Sequence, residues 1–426
     1  MQTLSAGQAT RGSFGRVSEV CDALGRFWKR AATQGNGRHG ARVFRREARI
    51  PSIEELLQRE EVRVDARETR KIVGGKTVLV TGAGGSIGLE LCRQIASGGP
   101  RKLLLLDKSE NGLFYANLEA SERLGAARVS PFLANLLDGQ GAKEILRNEQ
   151  PEIIFHAAAH KHVGLLERQP QEAIRNNVLG TRNIAEAALE LGAGRFVNIS
   201  TDKAVNPRNY MGLSKKVTEL CIQELARKGA TRFSNVRFGN VAGSTGSVLR
   251  LFREQIEKGG PVRVTDPRAT RYFMSVTEAV HLILRAAAMG QGGETFVFDM
   301  GEPLNIYELA KTMVILAGLK PEEDLEIQFT GLGEGEKIAE ELWEEWERPA
   351  PTESERILAI RSENPRGGVL REIEQMEDFL ARGDRSGLLE YIHGIFPEFG
   401  WNRSRAIAQV AAASGQMAAM PSAGAA

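Results

Sequence analysis

The sequence predicts an α/β chain built on a doubly wound parallel sheet with a smaller C-terminal lobe, and three observations carry that prediction. Six short apolar runs, at 77–80, 102–106, 129–133, 153–155, 196–199 and 233–236, alternate with helix-like patterns. Strands joined by helical crossovers pair in parallel, with helices covering both faces of the sheet. The first run breaks at Gly82 into a glycine-rich turn that leads straight into a helical pattern. Beyond Gly239 the runs shorten and are interrupted by Gly-Gly-Pro, Asp-Pro and Glu-Pro turns, which suits a lobe closing over the sheet.

At 426 residues and 42% hydrophobic content, the chain can bury a large core spread over two or three domains. The expected division is a basic arm at 1–49, a helical lead-in at 50–75, a sheet domain at 76–238, an interleaved lobe at 239–400 and a flexible tail at 401–426. In the arm, arginines outnumber the acids Glu19, Asp22 and Glu47, so it reads as a solvated tail with peripheral contact to anionic lipid as its functional alternative. Over the whole chain 56 basic residues meet 54 acidic ones, a net charge of +2 that argues against nucleic acid as a partner. Cys21, Cys92 and Cys221 are scattered without metal-ligand spacing, which points to a reducing cytoplasm and no metal site. No apolar run approaches the roughly 18 residues of a membrane span, and the N-terminus lacks the order of a signal peptide.

Taken in order, 76–90 reads KTVLVTGAGGSIGLE: strand, phosphate loop, helix. Gly82 makes the tight turn, Gly85 lets backbone approach a pyrophosphate, and Gly88 allows close helix-on-strand packing. Ser86 and Ile87 open the helix, whose N-terminus then faces the anion. Ile87 stands where a strict GxGxxG would have its third glycine. The second run ends in Asp107, about 25 residues beyond Gly82, where a carboxylate can accept from a ribose 2′-hydroxyl and favours NAD. Lys108 beside it suits the 2′-phosphate of NADP, the runner-up.

The other informative stretch is 196–219, FVNISTDKAVNPRNYMGLSKKVTE. A strand ends at Thr201-Asp202-Lys203, and strand ends of such sheets carry active sites. Met211 and Lys215 lie four apart on the following helix, about 40° from facing the same way, so both can point at one site. Met211 has no proton to transfer. Tyr210 sits five before Lys215, about 140° around the helix, and off that face. His156, His160 and His162 lack the acidic partners of a metal site.

These motifs, with HAAAHKHVGLLE (156–167), NNVLGT (176–181), RFGNVAGSTGSV (237–248), TRYFMSVTEA (270–279), FDMGEP (298–303) and GEKIAEEL (335–342), resemble the extended short-chain dehydrogenase/reductases. Within them they resemble the CapD-like nucleotide-sugar 4,6-dehydratases, in the branch with methionine in the tyrosine position. The resemblance runs in order from about Arg46 to Arg361. It implies a Rossmann-type domain and a tightly held NAD(P) regenerated each turnover. The implied substrate is UDP-N-acetylglucosamine or a close relative, converted to a 4-keto-6-deoxy sugar.

The resemblance also implies roles. Lys203 would be the C5 base, Asp202 the acid at the C6 oxygen, and Thr201 a hydrogen-bond partner of the C4 oxygen. Either Asp202 or a water held by Lys215 would accept the C4 hydroxyl proton. Asn135, Leu136 and Ala157 would line the cofactor site with the glycines, and Lys215 would hold the nicotinamide ribose. Asn240 and Arg271 would lie at the sugar-nucleotide diphosphate, with Lys337 as a point-charge substitute for a missing arginine. Gly333 stands where relatives usually have arginine, and Asn135 where they commonly have aspartate. Membrane helices precede this region in many relatives, and the basic arm stands in their place. Association through helices implies a homo-oligomer. A 4-epimerase and a non-catalytic dinucleotide sensor are the competing readings; the Asp202-Lys203 pair favours dehydration over the first, and the joint retention of Thr201, Asp202, Lys203 and Lys215 argues against the second.

Overall fold

The structure, a computed structural model, describes residues 66–244, 246–361 and 366–397. The expected basic arm, the lead-in as far as residue 65 and the 401–426 tail lie outside the described residues.

Each of the six apolar runs forms a strand, with every end within one residue of the expected bound: β1 (Thr77–Thr81), β2 (Lys102–Asp107), β3 (Val129–Leu133), β4 (Ile153–His156), β5 (Arg195–Ile199) and β6 (Arg232–Arg237). Successive side chains of a strand point to opposite faces, so a run apolar at every position must be covered twice. Leu79, Leu104, Ile154 and Phe196 enter one core, while Val78, Val80, Leu103, Leu105, Phe155 and Val197 enter the other. Helices Gly180–Glu190, Tyr210–Ala226, Val369–Ala381 and Arg385–Ile395 supply the first core. Helices Ala66–Val73, Ser86–Ser97, Glu110–Leu124 and Val276–Met289 supply the second.

After β6 the chain alternates between lobe and sheet. The lobe strands are β7 (Asn240–Ala242), β8 (Val262–Val264), β9 (Thr270–Arg271), β10 (Phe273–Ser275), β12 (Leu304–Asn305) and β13 (Ile327–Phe329). They pair β7 with β10, β8 with β13 and β9 with β12 around a third core that includes Phe252, Val262, Phe273, Met313 and Ile327. The others, β11 (Thr295–Phe298), β14 (Pro349–Pro351) and β15 (Ile357–Ile360), return to the main sheet. That sheet has nine strands in the order β14-β15-β11-β6-β5-β4-β1-β2-β3. Neighbours from β3 through β11 are parallel, and β15 and β14 add antiparallel.

Strand order reverses between β1 and β4. The helices leaving β1 and β4 go to opposite sides there and open a crevice at the carboxyl ends, where ligands of open α/β sheets bind.

Candidate functional site

One half of the crevice is built from backbone. Gly82 has φ +69°, and a Cβ on it would lie 2.6 Å from the Ala158 nitrogen. A Cβ on Gly84 would lie 2.6 Å from the Gly112 carbonyl carbon, and one on Gly88 would run into the Gly82 carbonyl oxygen. Helix Ser86–Ser97 begins at Gly85 without a side-chain cap, as a helix start does where an anion is to be received. Gly82, Gly85, Asp107, Asn135, Leu136 and Ala157 line a cavity of about 250 Å³, and Ser86, Ile87 and Gly88 form the first turn of the helix leading away from it.

Asp107 ties this half together. Its Oδ2 accepts from the Gly84 amide at 2.8 Å and its Oδ1 from the Ser109 amide at 2.8 Å. Each oxygen keeps a second lone pair for a ribose hydroxyl. Lys108 lies on the same rim, where its Nζ donates to Asn176 Oδ1 at 2.8 Å and lies 3.1 Å from His160 Nε2.

His156, at the end of β4, is a structural link. Its Nδ1 lies 2.7 Å from Thr81 Oγ1 and its Nε2 2.8 Å from Thr181 Oγ1. The Thr181 hydroxyl spends its one proton on the Asn177 carbonyl at 2.6 Å, so Nε2 carries the imidazole proton and Nδ1 accepts from Thr81. Burial, with the Lys215 charge nearby, brings this histidine down to about 3 and keeps it neutral. Among the described residues, no group of three or more His, Cys, Asp or Glu side chains could hold a metal ion.

The other half is built from charge. Beyond β5, Thr201 caps a short 3-10 turn, Asp202–Ala204, and donates to Asp202 Oδ1 at 2.9 Å. Asp202 is fully buried, its amide donates to the Phe238 carbonyl at 3.0 Å, and its Oδ2 has no hydrogen-bond partner among the described residues. Lys203 Nζ donates to Asp202 Oδ1 at 3.0 Å and to Asn240 Oδ1 at 3.1 Å, and lies 3.6 Å from Glu340 Oε1. Burial opposes its charge, but Asp202 and Glu340 outweigh burial and hold the ammonium above the ordinary lysine value.

Helix Tyr210–Ala226 starts at Asn209, whose side chain accepts from the Gly212 amide at 2.7 Å. Met211 is buried in the first core. Tyr210 turns to the C-terminal helices, with its hydroxyl 3.3 Å from His393 Nε2 and its ring stacked on that imidazole. Lys215 is buried, and burial, partly offset by Glu219, brings it down to about 8.

Arg271 and Lys337 have a different immediate task from phosphate binding. Arg271 donates to the carbonyls of Thr270 (2.7 Å), Ile338 (3.0 Å) and Lys337 (2.8 Å), while Lys337 Nζ donates to the Val205 carbonyl at 2.8 Å. Together they fasten the 337–338 backbone to β9 and, through Lys337, to Val205 just beyond the Asp202–Ala204 turn. Farther along, Arg237 is gripped by Glu219 (2.7 Å) and Glu347 (2.8 Å), and Lys216 meets Glu344 at 2.9 Å. The exposed Gly333 offers backbone groups alone: its amide donates to Glu336 Oε2 at 3.2 Å and its carbonyl accepts from the Glu336 amide at 3.1 Å.

Glu340 is the residue that sequence reasoning missed. Its signal was present in GEKIAEELWEEWE, where Glu340, Glu344 and Glu347 recur at helical spacing among apolar residues, as a solvated helix face would. The stretch instead runs as irregular turns, and all three carboxylates are buried against cations. A larger cavity of about 670 Å³ lies at the opposite, amino ends of β4, β5 and β6, beside Ile153, Arg195 and Arg232. None of the site residues faces it. Among the described residues no helix is long and apolar enough to cross a membrane.

Residues 78–362 match the family model described as polysaccharide biosynthesis protein. The capsular polysaccharide biosynthesis protein CapD of Staphylococcus aureus is 49% identical over 68% of this chain and 49% of its own length. The chain therefore spans about half the length of that relative. A UDP-glucose 4-epimerase of Rickettsia akari is 34% identical over 63% of this chain and 77% of its own. Among solved structures, Pen from Bacillus thuringiensis superposes with a TM-score of 0.63 at 29% identity, covering 68% of this chain and 87% of its own.

Proposed function

The chain belongs to the polysaccharide biosynthesis protein family, and on that premise we propose that it is an NAD(P)-dependent UDP-N-acetylhexosamine 4,6-dehydratase, with UDP-N-acetylglucosamine as first candidate. The observation that carries the proposal is the Asp202–Lys203 pair at the carboxyl end of β5. An acid and an amine share one buried pocket there, and Asp202 Oδ2 is left without a partner. Removal of a C5 proton and loss of a C6 hydroxyl need such a pair, since a C4 ketone acidifies C5 and the departing oxygen needs a proton. Epimerization at C4 needs neither.

The glycine cradle, the uncapped helix start, the Asp107 carboxylate and the buried Lys215 fit a dinucleotide. NAD is the first candidate and NADP, facing Lys108, the runner-up. When bound, the nicotinamide supplies reversible hydride storage between C4 and C6, leaving the cofactor unchanged over a turnover. The chain's own residues divide the proton work. Thr201 hydrogen-bonds the C4 oxygen, Asp202 protonates the leaving C6 oxygen, Lys203 as free amine takes the C5 proton, and Lys215 holds the nicotinamide ribose. Met211 occupies the tyrosine position without a proton of its own, so the C4 hydroxyl proton passes to Asp202 or to a water held by Lys215. Asn240, Arg271 and Lys337 serve the diphosphate. Arg271 and Lys337 do so by exchanging backbone carbonyls for phosphate oxygens.

A 4-epimerase is the second reading, favoured by the identity to the Rickettsia enzyme. Purified protein incubated with UDP-N-acetylglucosamine in deuterated water separates the two by NMR. A C6 methyl with deuterium entering C5 is expected. A C4-inverted sugar without a methyl would replace dehydration by epimerization, and a silent spectrum across UDP-hexosamines would leave a dinucleotide sensor. Lys203→Ala should lower turnover by roughly 10²- to 10⁴-fold, the span of general acid–base effects, and an unchanged rate would remove Lys203 as the base.

A further inference from the structure

Helix Glu110–Leu124, between β2 and β3, is apolar on two sides. Its inner side, formed by Leu113, Ala116, Ala120 and Leu124, enters the second core. On its outer side Asn111, Phe114, Tyr115, Leu118 and Glu122 recur at spacings of three and four, so they form one stripe. Phe114 is 61% exposed, Tyr115 60% and Leu118 46%, and the two rings stand edge to face at 5.4 Å. Leu133 prolongs the patch. It is the register partner of Asp107, which places it at the end of the sheet where the helix begins. Strand alternation sets it on the same face as Val129, which packs in the second core with the helix, yet Leu133 is 61% exposed. β3 is the free edge of the nine-stranded sheet.

An exposed apolar patch of this extent marks a contact surface, and its border selects the partner. A lipid surface is met by apolar residues bordered by lysine and arginine. Here the border holds Glu110, Glu119 and Glu122, and Glu119 already pairs with Arg93. The stripe is complementary to itself instead. A two-fold axis crossing the helix between positions 116 and 117 sets 111 of one copy opposite 122 of an antiparallel second copy, and the reverse. Asn111 carries two amide donors, and the exposed Glu122 carboxylate has no ion pair or hydrogen bond among the described residues. An amide–carboxylate pair thus closes each end, and Phe114, Tyr115 and Leu118 of both copies meet between. The other face of the sheet offers no equal surface at its central helix, because Tyr210–Ala226 is buried almost from end to end, partly under Val369–Ala381.

We infer that two copies of this chain associate through the outer face of helix Glu110–Leu124, antiparallel, and the inference does not depend on which reaction the chain catalyses. The same helix walls the dinucleotide cavity: Ser109 lines that cavity and caps the helix, and Gly112 lies against Gly84 of the glycine loop. Association therefore braces the wall of each cavity from behind.

Two measurements on the full chain test this. In sedimentation, the wild-type mass at micromolar concentration should be an even multiple of 46.6 kDa, and Leu118→Lys should halve it, weakening association by roughly 30-fold or more. Leu118→Met should keep the wild-type mass. The second measurement is a disulfide. Asn111→Cys and Glu122→Cys together, in a Cys21→Ser background with Cys92 and Cys221 buried, should give a covalent dimer on mild oxidation, with 111 joined to 122. Within one copy these positions lie about 16 Å apart along the helix, beyond the roughly 7 Å that a disulfide spans between Cα atoms, so only a second copy can supply the bond. Either single variant should stay uncrosslinked. A wild type that sediments as one chain overturns the inference, as does a Leu118→Lys variant that keeps the wild-type mass. A double variant without the 111–122 bond, or a single variant that links to itself, overturns the antiparallel pairing.

Discussion

The two halves of the crevice solve opposite problems. At the β1–β4 switch, side chains are mostly small or absent, and the polar groups present are paired: Asp107 with two amides, and neutral His156 with two threonines. At the end of β5, charges crowd together. Asp202 and Glu340 each keep an orphan oxygen, Lys203 is shared between two acceptors with the Glu340 carboxylate 3.6 Å away, and the segment bearing Glu340 is held by buried ion pairs. On the proposed function, one half would receive a ligand on a fixed surface, and the other keeps unpartnered charge where the reaction would take place. The contrast teaches that a binding half can be internally satisfied, whereas a reacting half must leave groups unsatisfied until substrate arrives.

The sharpest way to break the contrast is to remove a charge that only holds the second half together. Glu347→Ala leaves Arg237 with one carboxylate in a site where it is 1% exposed, and should cost about 3–5 kcal/mol of stability by denaturant unfolding. A cost below about 1 kcal/mol would mean that the ion-pair network does not fasten the 335–348 segment. In the first half the equivalent lesion is steric. Gly88→Ala pushes a methyl into the Gly82 carbonyl, and should cost about 1–3 kcal/mol and weaken dinucleotide binding. Retained affinity by calorimetry would show that the loop can shift at little cost.

A third test is pH. His156 stays neutral in the fold down to about 3 but takes a proton near its ordinary value of 6.5 when unfolded. The unfolded chain therefore binds the extra proton between those values, and stability falls as pH drops through that window, by about 1.4 kcal/mol per pH unit from this group. His156→Gln should remove that slope, and an unchanged slope in denaturant midpoint against pH would contradict the buried neutral imidazole. The smallest effect belongs to Tyr210→Phe. The hydroxyl faces His393 and not the β5 end, so turnover should stay within about twofold. A larger loss in kcat would return tyrosine chemistry to the site.

Legibility followed the same divide. The strands β1–β6, the turn at Gly82, Asp107 and the Thr201-Asp202-Lys203 end could be read from the sequence because each is local: a run, a break and a terminal side chain within about thirty residues. Helical spacing alone sets Tyr210 away from Lys215, and its packing on His393 could not be read from the sequence. Arg271 and Lys337 could be named, but not their hold on the Lys337, Ile338 and Val205 carbonyls, since which backbone a long cation reaches depends on loop paths. Glu340 was hidden for a stronger reason. Its spacing with Glu344 and Glu347 imitates an exposed helix face, and only cations contributed by β6, by helix Tyr210–Ala226 and by the β5 end make burial of three carboxylates affordable.

By itself, then, the sequence determined six of the sheet's nine strands, the crevice and the groups that stand at strand ends, because periodicity and glycine sterics act over short stretches of chain. Only the tertiary structure decided the charge pattern around Lys203. Electrostatic neighbours are chosen by distance in space, and residues 203, 240, 271 and 340 become neighbours only when the lobe folds back over β5.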